Sequence, residues 1–193
     1  LAPFFARMRV RHVAAEVTQV ALDDTGAIAH VDTAAHGRFE AELYIDCTGF
    51  RAQLIGAALG APFKSVRHQL FADRALACKL PLPADAPLES STVATAHQAG
   101  WFWDIALQGA RGVGCVYSSD HLDDRAAADL LRRYCGPGHD DVAVRSIPFM
   151  PGYREQQWVK NCVAIGLSAG FLEPLEATGL VLIEAAVGMV AEM

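Results

Sequence analysis

Basic charge is scarce in this chain and nowhere clustered: 16 Lys and Arg stand against 22 Asp and Glu, a net charge of −6. With no Lys/Arg stripe to neutralise phosphates, nucleic acid is excluded as the main partner. No uninterrupted apolar run reaches the ~20 residues that a membrane-spanning helix needs. No membrane association and a soluble, cytoplasmic protein are therefore expected. The opening Leu-Ala-Pro-Phe-Phe-Ala-Arg has neither a basic n-region nor a cleavage site, so it does not read as a signal peptide. It lacks an initiator Met, and Gly188 to Met193 stop inside a helical pattern, which leads us to expect a fragment. No CxxC pair occurs among Cys47, Cys78, Cys115, Cys135 and Cys162, and no metal ligand set is assigned. Their odd number and wide spacing favour reduced, buried thiols. The dinucleotide fingerprint GxGxxG is missing too, since Gly109, Gly112 and Gly114 do not match it.

Apolar residues are abundant, at 52%, enough to bury a real core in one or two domains. Val13 to Leu22, Ala27 to Thr33 and Arg38 to Asp46 read as a β-meander, with turns at Asp23-Asp-Thr-Gly26 and His36-Gly37. Ala52 to Leu59 reads as a short helix closed by Gly60. Val66 to Leu82 is extended, and Pro83 to Ser91 is the clearest loop. Thr92 to Ala96, Trp101 to Leu107 and Gly112 to Ser119 follow as strands, the last two joined by Gln108-Gly-Ala-Arg111. Asp123 to Tyr134 is an amphipathic helix with Arg132 and Arg133 at its end, and Ser118, Ser119 or Asp120 as its cap. A strand at Cys162 to Ile165, a small-residue turn, and an apolar helix over 180–193 close the chain. The fold class is α/β or α+β.

Three constellations point to chemistry, each with a plainer rival. Gly166-Leu-Ser-Ala-Gly170 matches the GxSxG nucleophile elbow and follows a strand. The hydrolase order demands a later His, yet the last is His139, and Pro174 interrupts the helix that should follow. Trp101 and Trp103 lie on one face of a strand, either as a core pair or as a wall for a planar ligand. Glu40 to Gly49 is an alternating strand ending in acid, small residue, Thr and Gly. It is either an ordinary buried strand or the segment that runs beside a dinucleotide.

Three segments in order, Asp46-Cys-Thr-Gly-Phe-Arg51, Gly100-Trp-Phe-Trp-Asp-Ile105 and Trp158 through Leu-Glu-Pro-Leu-Glu176, give the chain a wider resemblance. Together they resemble the flavin-dependent tryptophan halogenase family over essentially the whole chain. The resemblance implies part of an FAD-binding module of glutathione-reductase/p-hydroxybenzoate-hydroxylase type, with a β-sheet substrate region. Residues 1–64 and 158–193 would belong to the FAD module, and 65–157 mainly to the substrate side. It further implies halogenation of an electron-rich aromatic such as tryptophan or indole. In that family FADH2 and O2 give a C4a-hydroperoxide, which chloride or bromide attacks to give hypohalous acid. A separate flavin reductase would supply FADH2.

Carried over residue by residue, the resemblance places the catalytic carboxylate at Glu176, with Glu173 structural or in support. Halide would be held by the Thr178 and Gly179 amides at a helix start, where free N–H groups suit an anion. The cofactor would be held by Asp46, Thr48, Gly49, Gly166, Leu167 and Ser168, and Trp101 and Trp103 would stand on the substrate side. Two departures, Ala177 where the family has Ser and Ala106 where it has Pro, leave tryptophan and other arenes both open. The family's catalytic lysine has no counterpart here, since Lys79 lies outside any matching motif. The 193-residue chain alone is expected not to halogenate. Alternatives are a flavin-dependent aromatic monooxygenase, against which Gly166-Leu167 replaces the usual Gly-Asp, and a non-catalytic FAD-binding fragment.

Overall fold

A computed structural model describes Met8, residues 10–175 and residues 177–193. The described residues form two compact units. One runs up to Pro62 and includes Arg154–Ala169; the other comprises Phe63–Tyr153 and Gly170–Met193.

In the first unit, β1 (Val17–Leu22), β2 (Ile28–Thr33) and β3 (Gly37–Phe39) form an antiparallel meander. The turn between β1 and β2 is set by the Asp23 carboxylate, which accepts from Thr25 N at 2.8 Å and Ala27 N at 3.1 Å. The expected third meander strand, Arg38 to Asp46, is two strands. Its second half, β4 (Tyr44–Asp46), joins β12 (Trp158–Val159) and β13 (Cys162–Ala164) in a separate sheet, parallel to β13. The break at 40–43 is held by the Tyr44 hydroxyl, which accepts from Ala41 N at 3.0 Å. The Asn161 side chain links the two sheets. Its Oδ1 accepts from Ile28 N and its Nδ2 donates to Ile28 O, each at 2.9 Å. The stretch expected to be a helix over Ala52 to Leu59 is a 3₁₀ turn (Gly49–Arg51) followed by a π-helix (Gln53–Ala58). Ala52, Leu54 and Ile55 pack with Ile28, Tyr44, Cys162 and Ala164 into this unit's core.

The second unit centres on a five-stranded antiparallel sheet in the order β10-β6-β9-β8-β7. The strands are β6 (Arg74–Pro81), β7 (Val93–His97), β8 (Gly100–Leu107), β9 (Ala110–Tyr117) and β10 (Arg145–Pro148). The extended run expected from Val66 begins only at Arg74, because Gln69 N and Leu70 N both bond back to Val66 O in a turn. Alternate residues Leu76, Cys78 and Leu80 of β6 and Val113, Cys115 and Tyr117 of β9 face helix α1 (Asp124–Cys135). Ala127, Leu131 and Cys135, four apart, are the helix stripe that closes this core. The cap of α1 is Asp123 rather than an earlier residue: its extended backbone lets the carboxylate accept from Ala126 N at 2.8 Å. A second sheet of β5 (Phe63–Ser65), β11 (Gly152–Arg154) and β14 (Gly170–Phe171) precedes α2 (Thr178–Ala191), none of whose residues is buried. No helix among the described residues is long and apolar enough to cross a membrane.

Candidate functional site

Strands β4 and β13 run parallel, with Ala164 opposite Asp46. Just past their carboxyl ends, each enters a turn with a glycine at positive φ, Gly49 at 71° and Gly166 at 74°. The 3₁₀ segments Gly49–Arg51 and Gly166–Ser168 pack against each other there. The region beyond the carboxyl ends of parallel strands is where α/β sheets hold ligands, because no strand continues to fill it.

Asp46 organises this region. It is fully buried, and its Oδ1 accepts from Thr48 N at 2.9 Å and Thr48 Oγ1 at 2.7 Å. Its Oδ2 accepts from Leu54 N at 3.0 Å and Ile55 N at 2.8 Å, so the carboxylate caps the π-helix from eight residues upstream. Thr48 Oγ1 in turn accepts from Gln53 N at 2.8 Å. On the other turn, the Ser168 hydroxyl sits against the Asp46 carbonyl and 2.9 Å from the Ile165 carbonyl. At 1% exposure between two carbonyls, Ser168 has no base and no opening to a substrate, which removes the nucleophile-elbow alternative. Asp46 and Ser168 therefore hold the turns from within, and the surface is left to Gly49, Thr48, Gly166 and the 41%-exposed Leu167.

Sequence reasoning missed Arg154. Its Nη1 donates to Ala61 O at 2.7 Å and its Nε to Ser168 O at 3.4 Å, tying the end of the π-helix to the second turn. Gly56 makes room for it: a Cβ there would come within 2.5 Å of the guanidinium. A glycine inside an otherwise helix-forming stretch was the available signal.

In the second unit, Trp101 and Trp103 share one face of β8, with ring centroids 6.2 Å apart and planes tilted by 60°. On the opposite face Phe102 stacks on Tyr134, centroids 4.3 Å apart, so the half-buried indoles lie on the side away from α1. A Cys–His pair also occurs here, with His97 Nε2 3.3 Å from Cys115 Sγ. His97 Nδ1 accepts from Ala99 N at 3.3 Å, so its proton sits on Nε2, facing the sulfur. Burial pushes the Cys115 thiol up to about 12 and lowers the His97 pKa, so the pair is held as a neutral thiol and imidazole rather than as a thiolate–imidazolium pair.

Thr178 and Gly179 are the first two residues of α2, which starts two residues earlier than expected. Ala177 precedes them in the left-handed region at φ 50°, and Leu180 N closes the turn on Ala177 O at 2.9 Å. Glu173 Oε1 accepts from Leu175 N at 3.1 Å, engaging its own turn. Glu176 lies outside the described residues.

The tryptophan halogenase family model matches residues 2–193. The chain belongs to the tryptophan halogenase family. Tryptophan 6-halogenase SttH of Streptomyces toxytricini is 46% identical over 92% of this chain and 34% of its own length. The 7-chloro-L-tryptophan 6-halogenase KtzR of Kutzneria sp. (strain 744) is 45% identical over 92% of this chain and 35% of its own. The crystal structure of SttH superposes on 99% of this chain with a TM-score of 0.95. BrvH, a flavin-dependent halogenase from Brevundimonas sp. BAL3, does so with a TM-score of 0.90 at 35% identity. The chain thus spans about a third of the length of the curated relatives it matches. A flavin, the group named for BrvH, fits the glycine turn beyond β4, where a Cβ on Gly49 would meet nothing within 4 Å and the backbone is open.

Proposed function

We propose that the protein carrying this chain halogenates an electron-rich arene, tryptophan or free indole, with reduced FAD, oxygen and chloride or bromide. The observation that carries this is the family match over residues 2–193. Relatives whose names specify tryptophan halogenation support the aromatic substrate. When bound, reduced FAD supplies the oxidising equivalent from oxygen that turns halide into an electrophile.

The chain's own residues divide the remaining work. The backbone of Thr48, Gly49, Gly166 and Leu167 would hold the flavin, while Asp46 and Ser168 hold those two turns in place. The first amides of α2, at Thr178 and Gly179, hold halide, since a helix start offers N–H groups with no intrahelical acceptor and a positive field. Trp101 and Trp103 wall the arene. Glu176 takes the ring proton and steadies the cationic arene, as a carboxylate placed beside a developing cation does. The unit containing β4 and β13 serves the cofactor, and the five-stranded sheet serves the substrate. A separate flavin reductase delivers the reduced cofactor.

The test is halide-dependent product mass from a protein carrying these residues at the family's full length. Bromide and chloride should give products differing by the mass of the halogen, and Glu176→Gln should abolish both. An added oxygen in place of halogen means an aromatic monooxygenase, and no new product means a non-catalytic flavin binder. The 193-residue chain alone should give no halogenated product.

A further inference from the structure

A strand interior disfavours glycine, yet Gly114 sits in the middle of β9, fully within the sheet. Its cross-strand partner on β8 is Trp103. A Cβ built on Gly114 would fall well inside contact with Cζ2, Cη2 and Cε2 of that indole. The Trp103 ring therefore lies over the bare Gly114 backbone, occupying the place where any other residue puts its side chain. On its other side, across β7, the register partner of Trp103 is the small residue Ala94.

Trp101 is treated differently by the same strand. Its partner on β9 is Val116, a fully buried side chain that denies the Trp101 ring the lie taken by Trp103. One indole rests on the sheet and the other stands beside it, which yields the 60° tilt at 6.2 Å between centroids. The two rings are in direct aromatic contact and present their faces at an angle, the recess in which a planar ring can stack on one and meet the edge of the other.

We propose that Gly114 is a positioning residue: it sets the lie of Trp103, and through it the recess that receives the planar ring of the substrate. The proposal rests on Trp101 and Trp103 being the substrate wall. The rival is that the Trp103–Gly114 pair merely stabilises the sheet, as aromatic residues placed over strand glycines do. The two differ in what a methyl group does. The atoms in its way are the far end of a side chain, so Gly114→Ala leaves the backbone register in place and swings the indole away.

The 193-residue chain can be tested directly. Two indoles this close couple electronically and give an exciton couplet in circular dichroism, which Trp101→Phe should remove. Gly114→Ala is expected to melt close to the parent while the couplet collapses or inverts. An unchanged couplet overturns the proposal. Titration with free indole, followed at the Trp101 and Trp103 Nε1–H resonances, should show affinity about fivefold weaker in Gly114→Ala, the scale of one aromatic contact. A changed couplet with equal indole affinity in both proteins overturns the claim that the recess receives the ring. If indole moves neither resonance in the parent chain, the substrate-wall reading fails by itself, and with it the recess claim, while the couplet still decides what positions Trp103. Should Gly114→Ala fail to fold, adding Trp103→Phe restores folding if the indole is what the methyl meets. Failure to restore it overturns the proposal.

Discussion

Asp46 shows how much one buried side chain carries. Its two oxygens take four donors from two stretches of chain: Thr48 N and Oγ1, and the adjacent Leu54 N and Ile55 N. Asp46→Ala leaves those amides buried without acceptors, and such groups cost about 1–3 kcal/mol each. The expected loss is about 3 kcal/mol or more in urea unfolding. A loss below about 1 kcal/mol means that the chain re-pairs these donors and that Asp46 is no organiser. Asp73 is a different case. Burial alone would raise its pKa, but Ser119 donates to it from N at 2.8 Å and from Oγ at 2.7 Å, and Arg67 and Arg74 lie nearby. The net result is a carboxyl held below the ordinary range. A depressed carboxyl pKa adds stability that is fully present above the unfolded value, about 3.9, and is lost as pH falls through the lower folded value. Thermal melts between pH 5 and pH 2 should therefore show a fall that Asp73→Asn flattens. An equal slope in both proteins removes Asp73 as its cause.

At the scale of elements, what was legible in the sequence was what is local. The β8–β9 hairpin announced itself through Gln108-Gly109 and the strands on either side. Asp46-Cys-Thr-Gly49 and Gly166 to Ser168 were identified as parts of one site, and the structure brings them together at the ends of β4 and β13. What was not legible depends on partners far along the chain. Tyr44 continues the alternation of the meander, yet it leaves for Cys162, because its neighbour is chosen by a parallel pairing that no local pattern encodes. The Asn161 amide on Ile28 is equally remote, a side chain standing in for a strand. The π-helix reads locally as a plain helix, because the carboxylate that caps it sits eight residues upstream. The start of α1 was legible to within one residue, but its cap was expected three to five residues too early, and Asp123 lends itself to a test. Asp123→Ala should cost about 1 kcal/mol, measured by urea titration, since Ala126 N then loses its acceptor. Asp123→Asn or Asp123→Ser should retain most of the stability, because each still presents a capping oxygen. Equal losses in all three variants would mean that the charge at the helix start matters and the hydrogen bond does not.

Across the whole molecule, the cysteines report on the two units separately. Cys47 is exposed; Cys162 is sealed in the core with Tyr44 and Ile55, while Cys78, Cys115 and Cys135 belong to the core under α1. Burial pushes the thiols of Cys78, Cys115 and Cys162 up to about 12, with the neighbouring Cys135 sulfur adding to the effect on Cys78 and the Asp46 carboxylate to that on Cys162. A buried, protonated thiol reacts with an alkylating reagent only after local opening, so its rate measures the free energy of that opening. The native chain should therefore show one fast thiol, at Cys47, ahead of the other four. In Asp46→Ala the first unit loses the hub of its core, so Cys162 alkylation should accelerate strongly while Cys78, Cys115 and Cys135 keep the parent rate. Peptide mass mapping of the alkylated cysteines separates the two sets. Acceleration of all four buried thiols together would show instead that the two cores open in a single step, and that Asp46 acts on the stability of the entire chain.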